Sequence, residues 1–173
     1  MPKGKLHEIG KLRSGFNVSL SQTVYSHGWV QLAPWEWDSE RGVLSRKESL
    51  DENNMVSLYL SQDTPKSFVL NSDREDLSSK QINICKQRAS RWLSMEWNPA
   101  GAIQTANRLD KHIGLYLKQG GGRFLRSSTF YEDLIKTICT INTNWASTIH
   151  MVQALVTHLG GESFPNPTQV LDA

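Results

Sequence analysis

Cysteine, clustered histidine, charge imbalance and long apolar runs are all scarce in this 173-residue chain, and each scarcity removes a class of function. Its two cysteines, Cys85 and Cys139, lie far apart and form no Cys-x-x-Cys pair. That spacing excludes a disulfide framework of several bridges and carries no zinc or iron–sulfur signature. Both are read as free thiols buried in helices. The five histidines are scattered without ligand spacing, so no metal and no cofactor is expected. Nineteen Lys and Arg against seventeen Asp and Glu leave a formal charge of +2, so net charge gives no case for nucleic acid. No apolar run reaches the length of a membrane span, and Met1-Pro2-Lys3-Gly4-Lys5 does not lead into the apolar core of a secretory signal. A soluble, reducing setting follows, with no membrane partner and no secretion.

What is present is enough apolar residue for a real core, and six tryptophans that need partners. The first part reads as β-rich. Phe16, Val18 and Leu20 alternate with polar residues, the period of a strand with one wet face. Residues 43–50 are polar and read as an edge strand, and 55–60 and 67–70 read as stronger strands. Asp51-Glu52-Asn53-Asn54 and the Asp63-Thr64-Pro65 region punctuate them as turns. Short strands with short turns predict an antiparallel sheet. Trp29, Trp35 and Trp37 crowd one stretch between strands; they either stack on nucleobases or cover the sheet and pin a loop.

The remainder reads as helical. Ser78 and Gln81 have capping-box spacing, and Ile82, Cys85, Ala89, Trp92 and Leu93 follow at helical steps to an end near Met95. Asn98 and Pro99 open a second helix with the stripe Ile103, Ala106, Leu109, Ile113 and Leu117, ended by Gly120-Gly121-Gly122. Those glycines follow a helix and lack the Lys-Ser/Thr of a phosphate loop, so they read as a connection. Thr129 and Glu132 form the next capping box. Phe130, Leu134, Ile135, Ile138 and Ile141 predict a helix buried on most sides. After Asn142-Thr143-Asn144, helical spacing resumes through Trp145, Ile149, Val152, Leu155, Val156 and Leu159 until Gly160-Gly161. Asn166 and Pro167 start a last helix that ends within about two turns.

The stretch 122–146, with 151–160 behind it, resembles the helix-hairpin-helix DNA glycosylases, in the branch that holds the 8-oxoguanine and alkylbase enzymes. The resemblance implies an α+β fold: an antiparallel β-sheet domain over 1–72, then an α-helical glycosylase domain over 73–173, truncated before the helix-hairpin-helix. It implies base-excision repair, double-stranded DNA containing a damaged base as partner, a monomer, and a cytoplasmic (nucleoid-associated) or nuclear location. By position, Asn142 matches the asparagine that enters the space left by an extruded base, and Thr143 and Asn144 complete its loop. Amides and hydroxyls suit that task, because they replace lost base-pair hydrogen bonds without a charge to desolvate. The alternative for Asn142 and Asn144 is capping of the following helix. Arg123, Arg126 and Lys136 are candidates for phosphate contact, against the alternative that they simply face water.

The resemblance also implies an aspartate that stabilises charge on the sugar, in some members a nucleophilic lysine, and a Gly-rich hairpin whose amides grip phosphate. None is legible here. Gly160-Gly161 lacks the flanking pattern, and Asp172 falls on the incipient last helix, so no catalytic residue is assigned. The chain alone is expected to be inactive and to bind DNA poorly. A non-catalytic nucleic-acid-binding or interaction module is the other function the sequence allows. Oxidised purines and alkylated bases both remain open as lesions.

Overall fold

The computed structural model describes residues 5–51 and 54–173. Part of the N-terminal segment and the centre of the turn expected at 51–54 therefore lie outside the described residues. The observed class is α+β. A five-stranded antiparallel sheet is built from β1 (His7–Arg13), β2 (Trp35–Asp38), β3 (Val43–Asp51), β4 (Asn54–Thr64) and β5 (Ser67–Ser72), in the order β1-β5-β4-β3-β2.

Two strand expectations change. Residues 16–19 form a connection outside the sheet instead of a strand, although Val18 and Leu20 are buried. Ser19 there caps the short helix α1 (Leu20–Val24), its hydroxyl accepting from Gln22 N, and this diverts the backbone from any ladder. The first strand is β1, which pairs with β5 through a bulge near Gly10. Nor is β3 an edge strand: β4 pairs on one side and β2 on the other. Its polar alternation misleads because Arg46 and Glu48 point into the protein, alongside Leu44.

Helix α2 (Ser79–Trp92) covers the sheet. Ser78 and Gln81 form the expected capping box at its start. Cys85, Ala89 and Trp92 on α2 join Leu44, Leu58, Leu60, Phe68 and Leu70 of the sheet in one continuous core. Each such large apolar side chain contributes roughly 1.5–3 kcal/mol by leaving water. The 72/73 boundary falls between β5 and α2, and this core crosses it.

The single helix expected after Asn98 is two: α3 (Ala100–Leu109) and α4 (Lys111–Lys118). Asp110 breaks the run, because its carboxylate accepts from His112 N at 2.7 Å and so caps a new helix. Gly114 lets the pair approach closely; a Cβ there would meet the Asn107 side chain. Next come α5 (Phe130–Ile138), α6 (Trp145–His158) and α7 (Pro167–Leu171), the last with Pro167 in its first turn and a complete Asn166–Gln169 capping box. Among the described residues no helix is long and apolar enough to cross a membrane.

Candidate nucleic-acid interface

The turn between α5 and α6 begins from an unusual helix. In α5 Glu132 and Lys136 face inward while Phe130, Leu134 and Ile138 face outward, with Ile135 half-buried between. Glu132 and Lys136, one turn apart, are fully buried, whereas Phe130 is 73 % exposed, Leu134 44 % and Ile138 51 %, with Ile141 just beyond at 60 %. Burial on most sides was expected of these apolar residues. Instead the protein buries the opposite face, because β3 offers that face charges.

Arg46 on β3 donates to both carboxylate oxygens of Glu132, at 3.1 and 2.8 Å. Its Nε lies 2.6 Å from Glu48 Oε1, and Lys136 Nζ lies 2.7 Å from Glu132 Oε1. Arg88 reaches Glu48 from α2 at 2.6 Å. The Ser128 hydroxyl donates to Glu48 and accepts from Trp92 Nε1 at 2.8 Å. The Arg46 guanidinium also sits over the Trp35 ring, 4.4 Å from its centroid. Burial alone would raise the Glu132 carboxyl, but Arg46 and then Lys136 hold it down, to about 2. Burial pushes the Lys136 ammonium down, with Glu132 opposing. Sequence reasoning missed this assembly. Its signals were the four-residue Glu132–Lys136 spacing and the Leu44-x-Arg46-x-Glu48 alternation. One consequence lies at the cap: Thr129 Oγ1 accepts from Glu132 N at 3.1 Å, but only half the expected capping box forms, since the Glu132 carboxylate is held by Arg46 and Lys136.

Three cations were candidates for phosphate contact, and two are placed elsewhere. Lys136 is completely buried against Glu132, between the Trp29 and Phe164 rings, where no phosphate can approach. Arg123 is buried as well. Its guanidinium donates to the carbonyls of Ser94 and of Trp97 (3.1 Å) and lies 5.0 Å from the Trp97 ring centroid. Both expectations are corrected by these internal partners. Arg126 remains partly exposed, paired with Glu96.

The polar turn itself is at the surface, with Asn142, Thr143 and Asn144 all exposed. Asn144 caps α6, its side-chain oxygen accepting from Ser147 N at 2.9 Å. Asn142 takes a left-handed backbone with φ 53°, and among the described residues nothing hydrogen-bonds its amide side chain. Of the two asparagines, Asn144 is engaged in capping and Asn142 is not. The turn is tied at its base by Thr148, whose hydroxyl donates to Cys139 O at 2.9 Å. It is tied outward by Trp145, whose Nε1 donates to Gln31 Oε1 at 2.9 Å.

The tryptophan-rich stretch is turned mainly to packing. Trp35 is buried edge-on to Trp92, ring centroids 5.1 Å apart, and Trp37 donates to the Tyr25 hydroxyl. The exposed aromatics nearby include Tyr25, Phe124 and Trp145, none of them a candidate for base contact in sequence. His27 bridges Phe124 and Trp29, with centroids at 5.3 and 5.0 Å. The cysteines are free, Cys85 buried and Cys139 half-buried. Gly160 and Gly161 close α6 in a tight turn, where a Cβ on Gly160 would strike Ser163 O. Asp172 is exposed at the end of α7.

No protein-family model matches the chain, and no curated protein matches it by sequence. By structure it is similar to a 3-methyladenine DNA glycosylase from Archaeoglobus fulgidus, with a TM-score of 0.73 at 14 % identity. The match takes in 95 % of this chain but 58 % of that one, so the chain spans less than three-fifths of its neighbour's length. At that identity the likeness establishes a glycosylase-like fold and nothing finer.

Proposed function

We propose that this chain is the N-terminal part of a DNA glycosylase of the helix-hairpin-helix superfamily, serving damaged-base recognition in base-excision repair. The observation that carries it is Asn142: an uncommitted amide on a left-handed, exposed turn between two helices, in a fold shared with a DNA glycosylase. A neutral amide there suits the unpaired partner of an extruded nucleotide. The partner is double-stranded DNA containing a damaged base, met in a cytoplasmic or nuclear setting, and the working particle is monomeric. The chain divides by sequence into a sheet region, 1–72, and a helical region, 73–173.

The exposed apolar side of α5 supports the idea that further helices complete the enzyme, since a row of large apolar residues seldom faces water in a finished monomer. On this reading the residues for bond cleavage belong to those further helices. A non-catalytic binding module is the alternative, favoured by Tyr25 and Phe124, which offer stacking surface without chemistry. The test is binding of the folded chain to duplex DNA with and without an abasic site, across a salt series. A preference for the abasic duplex that Asn142→Ala removes is expected. Equal affinity for the two duplexes, or a preference that Asn142→Ala leaves intact, would overturn the proposal.

A further inference from the structure

The Asn142 turn and the tryptophan-rich stretch are far apart in sequence, and Trp145 joins them. It is the first residue of α6, three positions after Asn142. Its indole N–H donates to the side-chain oxygen of Gln31 at 2.9 Å. Its ring packs beside Gly28, where an added Cβ would stand 3.3 Å from Trp145 Cζ2. Gly28 has φ +86°, a conformation that suits glycine, and it caps the single 3-10 turn 29–31 that presents Gln31. Gln31 N closes that turn by donating to Gly28 O at 2.9 Å. One glycine thus makes room for the indole and sets the amide that grips it.

We infer that Gln31, Gly28 and Trp145 form a latch that positions the Asn142 turn in advance of DNA, and that Trp145 and Gln31 are positioning residues for recognition of a vacated base site. The inference rests on the proposed role of Asn142. Asparagine enters the left-handed region more readily than other non-glycine residues, so Asn142 suits this turn, and two contacts anchor the turn that carries it. Thr148 fixes the turn to the end of α5 and the latch fixes it to the sheet region, so the turn is held from both sides. An amide already held in place loses less freedom on binding, which is the advantage of preorganisation. Gln31 is exposed and outside the core, so its replacement tests position without threatening the fold.

The probe is a duplex with a tetrahydrofuran abasic site opposite 2-aminopurine, compared with the intact duplex. The proteins are the full chain, Gln31→Leu, Trp145→Phe, their double variant and Asn142→Ala. Wild type is expected to prefer the abasic duplex and to change the 2-aminopurine fluorescence. Gln31→Leu and Trp145→Phe should each reduce that preference about three- to tenfold, equivalent to losing the advantage of one ordered side chain. The double variant should be no worse than Trp145→Phe alone, since both single variants lose the same hydrogen bond, and intact-duplex affinity and thermal midpoint of Gln31→Leu should stay at wild-type values. If Asn142→Ala abolishes the preference and the latch variants keep it, the latch is refuted while the role of Asn142 stands. A lowered midpoint with intact preference also refutes it, marking a structural contact. If Asn142→Ala keeps the preference, or wild type shows none, the role of Asn142 falls and the latch with it.

Discussion

Arg46 and Glu132, separated by 86 positions in the chain, meet in a bidentate pair with both side chains almost wholly buried. A strand of the sheet is thereby bolted to the helix that leads to the Asn142 turn. Removing one member leaves the rest as uncompensated buried charge. Glu132→Ala is expected to destabilise the fold by about 3–5 kcal/mol, read as a shift in the urea midpoint. Lys136→Met should cost distinctly less, because Arg46 still satisfies Glu132. Equal losses in the two variants would contradict this ranking.

Acid should attack the same pair. The Glu132 carboxyl is depressed in the folded state from 4.5 to about 2. A depressed carboxyl contributes stability that is complete above its unfolded value and is lost as pH falls from about 4.5 through about 2. Urea midpoints at pH 6, 4 and 3 should therefore decline for wild type, and decline less for Glu132→Gln. Parallel curves for the two proteins would exclude Glu132 as the responsible group.

The outward row Phe130, Leu134 and Ile138 should take up a hydrophobic dye on the isolated chain. Leu134→Lys with Ile138→Glu is expected to remove most of the dye fluorescence at unchanged far-ultraviolet circular dichroism. Undiminished fluorescence would place the sticky surface elsewhere.

Cation placement predicts a difference in salt dependence. Arg126→Ala should reduce the slope of log affinity against log salt by about 0.9 if Arg126 leaves Glu96 for a phosphate. Lys136→Met should not change the slope, because its ammonium never meets solvent. A shallower slope for Lys136→Met would mean that α5 opens on DNA.

The isolated chain is expected to release no damaged base from duplex DNA, measured by chromatography of the free base under multiple-turnover conditions. Sustained release would locate catalytic groups within these residues and end the view that the chemistry lies beyond them.

Local rules made much of this fold legible. Ser78 with Gln81, Asn166 with Pro167 and the period of Cys85, Ala89 and Trp92 each name a helix without help from distant residues. The exposed turn carrying Asn142 follows from a polar break between two apolar periods. What stayed hidden depends on partners far along the chain. The polar look of Arg46 and Glu48 suggested a wet edge, yet Glu132, Arg88 and Ser128 supply an inward destination for both. Arg46 in turn draws the charged side of α5 inward, since periodicity reports where apolar residues recur and not which side another element claims. Arg123 could not be told from a surface cation, because its acceptors lie on another segment; Lys136 has Glu132 one turn away, but Arg46, which buries that pair, comes from β3.

The strand order has a consequence for how the chain comes together. β1 adds to the sheet beside β5, so residues 7–13 must wait for residues 67–72 before they find a mate. During synthesis the opening segment therefore emerges long before its berth exists, while β3, β4 and β5 can zip by neighbouring turns. A chain lacking residues 5–13 should still assemble that meander, left with a raw flank along β5 that invites stray strands.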